Sequence, residues 1–149
     1  MSLQVKIMDA MKIAMKSKDS EALQALRSVK SAILLAQTES GAKAELTEEV
    51  ELKILQKLVK QRKDSAAIFS EQGREDLATP ELAEAKVISQ FLPAQLSEEE
   101  IAKVIDSIIA QTGASSMKDM GKVMGMANGQ LAGKADGKTI SSIVKDRLS

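Results

Sequence analysis

The chain has 149 residues, 21 basic and 21 acidic, so its formal net charge is zero and nothing global draws it to nucleic acid. It has no cysteine and no histidine, which excludes disulfides, thiolate chemistry, imidazole base catalysis and the usual zinc sites. The hydrophobic fraction of 44% suits a folded domain, yet Phe69 and Phe91 are the only aromatics, and helix formers such as Lys, Glu, Gln, Ala, Leu and Met dominate. The expected fold class is all-α. No apolar stretch approaches a membrane span, and the N-terminus lacks the layout of a secretory or transit signal, so a cytoplasmic location is expected.

In chain order, residues 3–17 show helical periodicity, with Val5, Met8, Met11 and Met15 on one face, widened by Ile7, Ala10 and Ala14. Ser17–Ser20 breaks the pattern and supplies capping oxygens. A second helix is predicted from about Glu21 to Glu39, with Leu23, Leu26, Val29, Ile33 and Ala36 as its stripe. Residues 40–46 read as a loop. Thr47 is the expected N-cap of a long third helix, because Glu48, Glu49 and Glu51 crowd its first turn. That helix runs to about Gln72 and stops at Gly73, with Ile54, Leu55, Leu58, Val59, Ala66 and Phe69 facing inward.

Thr79-Pro80-Glu81 is read as the start of a fourth helix that carries Val87, Ile88, Phe91 and Leu92 and halts at Pro93. Ser97-Glu98-Glu99-Glu100 is a capping box, followed by Ile101, Val104, Ile105, Ile108 and Ile109 at helical spacing and a stop at Gly113. Ser116–Asp119 resembles another box, opening a short helix with Met117, Met120, Met124 and Ala127 on one side. Residues 128–138 hold three glycines and are expected to form a loop. Asp136 is the cap candidate for a last helix whose Ile140, Ile143, Val144 and Leu148 face inward. Pro93 is the expected boundary between a four-helix N-terminal domain, 1–93, and a three-helix tail domain, 94–149.

Local charge is uneven: residues 91–116 sum to −3, and residues 117–149 to +3. Lys53, Lys57 and Lys60 lie at i, i+4 and i+7 with no acid between residues 52 and 63, which suits a phosphate-tracking ridge. A solvated face opposite a buried one explains the same pattern and carries more weight. Arg62 points with Leu55, Leu58, Ala66 and Phe69 toward the core side, so it needs a carboxylate partner or an opening in the packing; a structural ion pair is the preferred reading. Gly133-Lys134-Ala135-Asp136-Gly137-Lys138 would expose backbone N–H groups at a helix start between two lysines, an arrangement able to bind anions. It is also an ordinary turn between helices, and the two readings can both hold. The methionine stripe reads as adaptable core, and the Glu98–Glu100 cluster is explained by capping without a metal. No nucleophile stands with a base, and the sequence points to no catalytic residue, no metal site and no cofactor.

Several strings resemble the YqeY-like family, in the family's order and across nearly the whole chain. They are Ala10-Met11-Lys12 through Leu26-Arg27, Gln56-Lys57-Leu58-Val59-Lys60-Gln61-Arg62-Lys63-Asp64-Ser65, Phe91-Leu92-Pro93-Ala94-Gln95-Leu96-Ser97, Met120–Met124 and Gly133–Lys138. The resemblance implies an all-helical N-terminal domain followed by a tail like that of the GatB component of transfer-RNA-dependent amidotransferase. In that enzyme the tail contacts tRNA, and the amide-transferring chemistry lies in other domains and subunits. A family label of carbon–nitrogen ligase with glutamine as amido donor would describe that complex more than this chain. The resemblance therefore favours a binding protein that contacts tRNA or a translation-linked partner through Lys134 and Lys138, with Lys122 as a third contact and Lys57 and Lys60 as further candidates. With two phenylalanines, such a protein would read phosphates and helix shape rather than stacked bases. The alternatives are a component of a carbon–nitrogen ligase acting with other subunits, and a scaffold that binds proteins alone.

Overall fold

The computed structural model describes residues 2–39 and 46–149, and residues 40–45 of the expected loop lie outside the described residues. Among the described residues there are seven α-helices and no strand: α1 (Leu3–Lys16), α2 (Ser20–Glu39), α3 (Glu48–Glu71), α4 (Glu75–Ser89), α5 (Glu98–Thr112), α6 (Met120–Gln130) and α7 (Gly137–Leu148). A single 3-10 turn, Met117–Asp119, leads into α6. The chain divides into two compact units, Met1–Leu92 and Pro93–Ser149.

In the first unit α3 and α4 form an αα-hairpin closed by three residues, and α2 packs against α1, α3 and α4. Its buried cluster draws Ile7 and Ala14 from α1, Ala25, Leu26, Val29 and Ile33 from α2, Leu55 and Val59 from α3, and Ala85 and Ile88 from α4. The α1 stripe differs from the one expected. Ile7 and Ala14 are buried and Leu3, Ala10 and Met11 pack beside them, whereas Val5, Met8 and Met15 are exposed. Apolar side chains surround most of α1, so period alone does not orient it. The line through residues 3, 7, 10 and 14 brings two alanines to the interface, and these let the backbones come closer than methionines would.

The start of α4 also differs: it begins at Glu75, five residues before Pro80, which lies inside the helix. Glu75 and Asp76 give the first turn the negative charge a helix N-terminus favours. Arg74, at the N-cap position, donates from Nε and Nη2 to the two Asp76 carboxylate oxygens at 3.0 and 2.9 Å. This contact holds the Asp76 carboxyl below the usual carboxylate range. Pro80 deprives only the Asp76 carbonyl of its helical donor, and at that exposed position water can serve instead. Thr47 caps α3 as expected, accepting the Val50 N–H at 3.3 Å, and Gly73 takes φ +73° just beyond the helix.

The second unit buries Ile101, Ile105 and Ile108 of α5, Val123 and Ala127 of α6, and Ile140, Val144 and Leu148 of α7. The capping box forms in full: Ser97 N–H donates to Glu100 Oε2 at 2.9 Å, and Glu100 N–H donates to Ser97 Oγ at 3.2 Å. Gly113 closes α5 at φ +67°. The second expected box does not close reciprocally. Ser116 Oγ accepts the Lys118 N–H, but the Asp119 carboxylate takes the Ser115 N–H instead of that of Ser116, and a 3-10 turn results. On α6 the buried line is Val123 and Ala127; Met120 and Met124 flank it and Met117 is exposed.

The rotation of α1 is open to measurement. Ile7 is 1% exposed and Ile13 on the same helix 68%. Ile7→Ala should cost about 2–5 kcal/mol, and Ile13→Ala within about 0.5 kcal/mol, both read by urea denaturation followed by circular dichroism.

Candidate functional site

The expected loop 128–138 is shorter than the sequence suggests, because α6 continues to Gln130 and α7 opens at Gly137. The connection is anchored from both sides. Leu131 and Ala135 are buried in the core of the second unit, Leu131 N–H donates to Ala127 O at 2.8 Å, and Lys134 N–H donates to Leu131 O at 2.9 Å. Gly133 adopts φ +75°, the left-handed conformation in which a side chain would be strained.

Its carbonyls are engaged internally. The Gln95 side-chain amide donates to Gly133 O at 2.7 Å and to Pro93 O at 2.9 Å, and Leu96 N–H donates to Lys134 O at 3.0 Å. The Lys134 and Lys138 side chains are exposed. Asp136 takes the N-cap position of α7 with extended backbone, but its side chain makes no capping hydrogen bond. The expected cap is thus one of position only. Asp136 supplies no side-chain acceptor to the first-turn N–H groups of α7, which no helical carbonyl can satisfy.

Lys122 lies in the first turn of α6, exposed, in the same unit as Lys134 and Lys138. Lys57 and Lys60 are exposed on α3, in the other unit. The proposed ridge is partly occupied, since Lys53 Nζ lies 3.4 Å from Glu49 one turn earlier. The five candidate lysines therefore fall into two groups, one in each unit.

Arg62 has the carboxylate partner its position demanded. Its Nε lies 3.7 Å from Glu84 Oε2, and the two side chains are 16% and 11% exposed. That separation is an ion pair beyond hydrogen-bond reach, and the buried Nε has no hydrogen-bond partner among the described residues. Burial pushes the Glu84 carboxyl above the ordinary glutamate range; Arg62 opposes this, and Glu81 and Glu21 reinforce it. Sequence reasoning did not single out Glu84, although a signal existed: it sits four residues before Ile88 on the inward face of α4. Arg62 and Glu84 border an open polar cleft of about 580 Å³ that Asp64 and Glu81 also line. Among the described residues no group of acids could hold a metal ion.

A carboxyl whose folded pKa is raised favours its protonated form in the fold. Its contribution to stability is complete below the unfolded value and is lost as pH rises through the folded one. The Glu84 carboxyl should therefore titrate above the ordinary glutamate value of 4.5 in a carbon-detected NMR experiment, and Arg62→Met should raise that midpoint further. The stability of the parent relative to Glu84→Gln should fall as pH climbs from 4.5 through the Glu84 midpoint.

The sequence matches the family described as Yqey-like protein over residues 4–148. It is 36% identical over 84 residues to a subunit of Glutamyl-tRNA(Gln) amidotransferase from Thermococcus gammatolerans, a match that covers 54% of this chain and 13% of that protein. It is 32% identical over 126 residues to Altered inheritance of mitochondria protein 41, mitochondrial, of Clavispora lusitaniae, covering 82% of this chain and 72% of that protein. The Kluyveromyces lactis protein of the same name is 32% identical over 138 residues, with 91% and 70% covered. The chain thus spans a small part of the amidotransferase relative and most of the mitochondrial proteins. No helix among the described residues is long and apolar enough to cross a membrane. With the match extending through both compact units, the chain belongs to the YqeY-like family.

Proposed function

We propose that this protein is a helical binding module that contacts structured RNA, tRNA above all, and has no catalytic activity alone. The observation that carries the reading is the α6–α7 connection. Its Gly133 and Lys134 carbonyls are consumed by Gln95 and Leu96, its lysines are exposed, and the N-terminus of α7 has no side-chain cap. Inward-turned carbonyls, outward lysines and open N–H groups make a surface that offers donors and positive charge to phosphate. The local balance of +3 over residues 117–149 supports the reading, as does the similarity to a protein named for glutamyl-tRNA(Gln). In this reading the two compact units act as two domains, 1–93 and 94–149. The second supplies Lys134, Lys138 and Lys122, Lys57 and Lys60 add secondary contacts from the first, and the protein works in the cytoplasm.

Replacing Lys134 and Lys138 with Glu tests it. Both are exposed, so circular dichroism should show an unchanged fold. Titrated against tRNA at several salt concentrations, the double mutant should bind more weakly. The slope of log K against log salt should fall by about two, since each lost phosphate contact removes about 0.9. Equal affinity and equal slope would remove this surface as the RNA site.

The amidotransferase relative favours a second reading, a component of a carbon–nitrogen ligase with glutamine as amido donor that acts only with other subunits. Both readings expect the isolated chain to leave glutamyl-tRNA unconverted in the presence of glutamine and ATP, a result that thin-layer analysis of the aminoacyl product would check. They separate when the amidotransferase itself is added: a rise in turnover supports the second, and RNA binding without such a rise supports the first.

A further inference from the structure

The first helix carries an apolar stripe that the core does not use. Met8 and Met15, expected inward, are both more than half exposed. With Gln4 and the half-buried Met11 they stand at i, i+4, i+7 and i+11, one line along α1. Leu23, Arg27, Lys30 and Leu34 repeat that spacing on α2, and Leu34 is half exposed. The two lines border one groove: Gln4, Met8, Lys30 and Leu34 surround a cavity of about 180 Å³ whose floor is the buried Ile7 and Ile33.

Size, length and charge define the occupant. The cavity is smaller than the roughly 300–1,000 Å³ of small-molecule sites, yet it suits one apolar side chain, the anchor of a larger partner. Each line runs about 17 Å along its helix, three turns, the length over which a helix in a groove grips with its i, i+3 or i+4 and i+7 positions. Methionine is flexible and polarisable enough to mould itself to such anchors.

The charge around the groove is one-sided. Neither line holds an acid, and Arg27 and Lys30 are exposed and form no ion pair among the described residues. Lys12, one turn from both Met8 and Met15, adds a third exposed cation on the same side. Asp9, the only acid in α1, lies about 100° round the helix from Met8, and Glu21 and Glu39 stand at the two ends of α2, beyond its line. A second copy docked face to face would bring these cations against themselves. An RNA backbone would engage the cations and leave the methionines without a partner, and a lipid surface calls for apolar groups that project rather than border a hollow. Anionic groups flanking an apolar ridge answer both features.

We propose that the groove between α1 and α2 is a docking site for an amphipathic helix of a partner protein. That helix sets apolar anchors against Met8, Met11 and Met15 and acidic side chains opposite Lys12, Arg27 and Lys30. The proposal uses none of the lysines of the RNA reading and does not rest on it.

The test is an NMR titration of the full chain carrying ¹³C-methyl methionine, at constant ionic strength. One probe is a capped helical peptide of about 18 residues with Leu at i, i+4, i+7 and i+11 and Glu on the flanking positions; a second carries Lys in place of each Glu. Saturable shifts confined to Met8, Met11 and Met15 are expected with the Glu peptide, and binding of the Lys peptide about tenfold weaker or less. Arg27→Glu with Lys30→Glu, both exposed, should weaken the Glu peptide about tenfold and strengthen the Lys peptide. Arg27→Gln with Lys30→Gln should give a smaller loss of the same sign, and serves if the charge-reversed variant folds poorly. Met8→Gln with Leu34→Gln should remove saturable binding, read at Met11 and Met15. The proposal is overturned if the Glu peptide does not saturate, if both peptides bind alike, if the shifts centre on Met117, Met120 and Met124, or if the folded variants bind as the parent does. Two further results would overturn it by naming another occupant: the same methyls shifting with protein concentration alone, a second copy, or with phosphatidylglycerol vesicles and not the peptide, a lipid surface.

Discussion

With Phe69 and Phe91 as its only aromatics, this chain has just two large flat side chains with which to fill space between helices. Close helix approach has to compensate, and that requirement shapes both units. Alanine supplies it at Ala14, Ala25, Ala66, Ala78 and Ala85 in the first unit and at Ala127 and Ala135 in the second, all of them buried. Isoleucine, valine and leucine fill the remaining volume, and the stiff β-branched ones define a single packing better than methionine can. The methionines accordingly sit at the margins: Met11, Met120 and Met124 are partly buried, Met8, Met15 and Met117 exposed.

Polar groups within this packing are placed with economy. Local bonds close some helix ends, most completely at Ser97 and Glu100, whereas the N-cap side chains of α4, α6 and α7 make no capping bond. The α6–α7 connection depends on a residue distant in sequence, since Gln95 secures Gly133 across 38 positions. Arg62 and Glu84 are the exception to this economy. A pair held at 3.7 Å between helices gains less than a hydrogen-bonded one and still bears the desolvation of two charges. Such an arrangement is weak as a stabilising device.

The two units thus present opposite electrostatic characters despite a net charge of zero. The connection in the second unit offers donors and lysines, suited to phosphate. The cleft of the first offers carboxylates around a single guanidinium. Formal neutrality conceals both, because it sums over the whole chain charges that act over distances of about a Debye length, roughly 10 Å.

Helix identity, most helix ends and the family were legible in the sequence. They rest on short-range causes: the 3.6-residue period, Thr47 and Ser97 as caps, Gly73 and Gly113 as stops, and strings of a few residues at Gln56–Ser65 and Gly133–Lys138. The lysines of the candidate RNA surface were legible for the same reason, since exposure in a turn is a local property. The start of α4 was misread because Pro80 is a strong local signal overridden by the Arg74–Asp76 contact and the acidic first turn. The buried line of α1, the displaced methionines of α6 and the partner of Arg62 were decided only by tertiary structure. Each depends on what faces a helix across an interface, and a chain position encodes its own side chain but not the distance, here 3.7 Å, at which another helix brings a carboxylate to it.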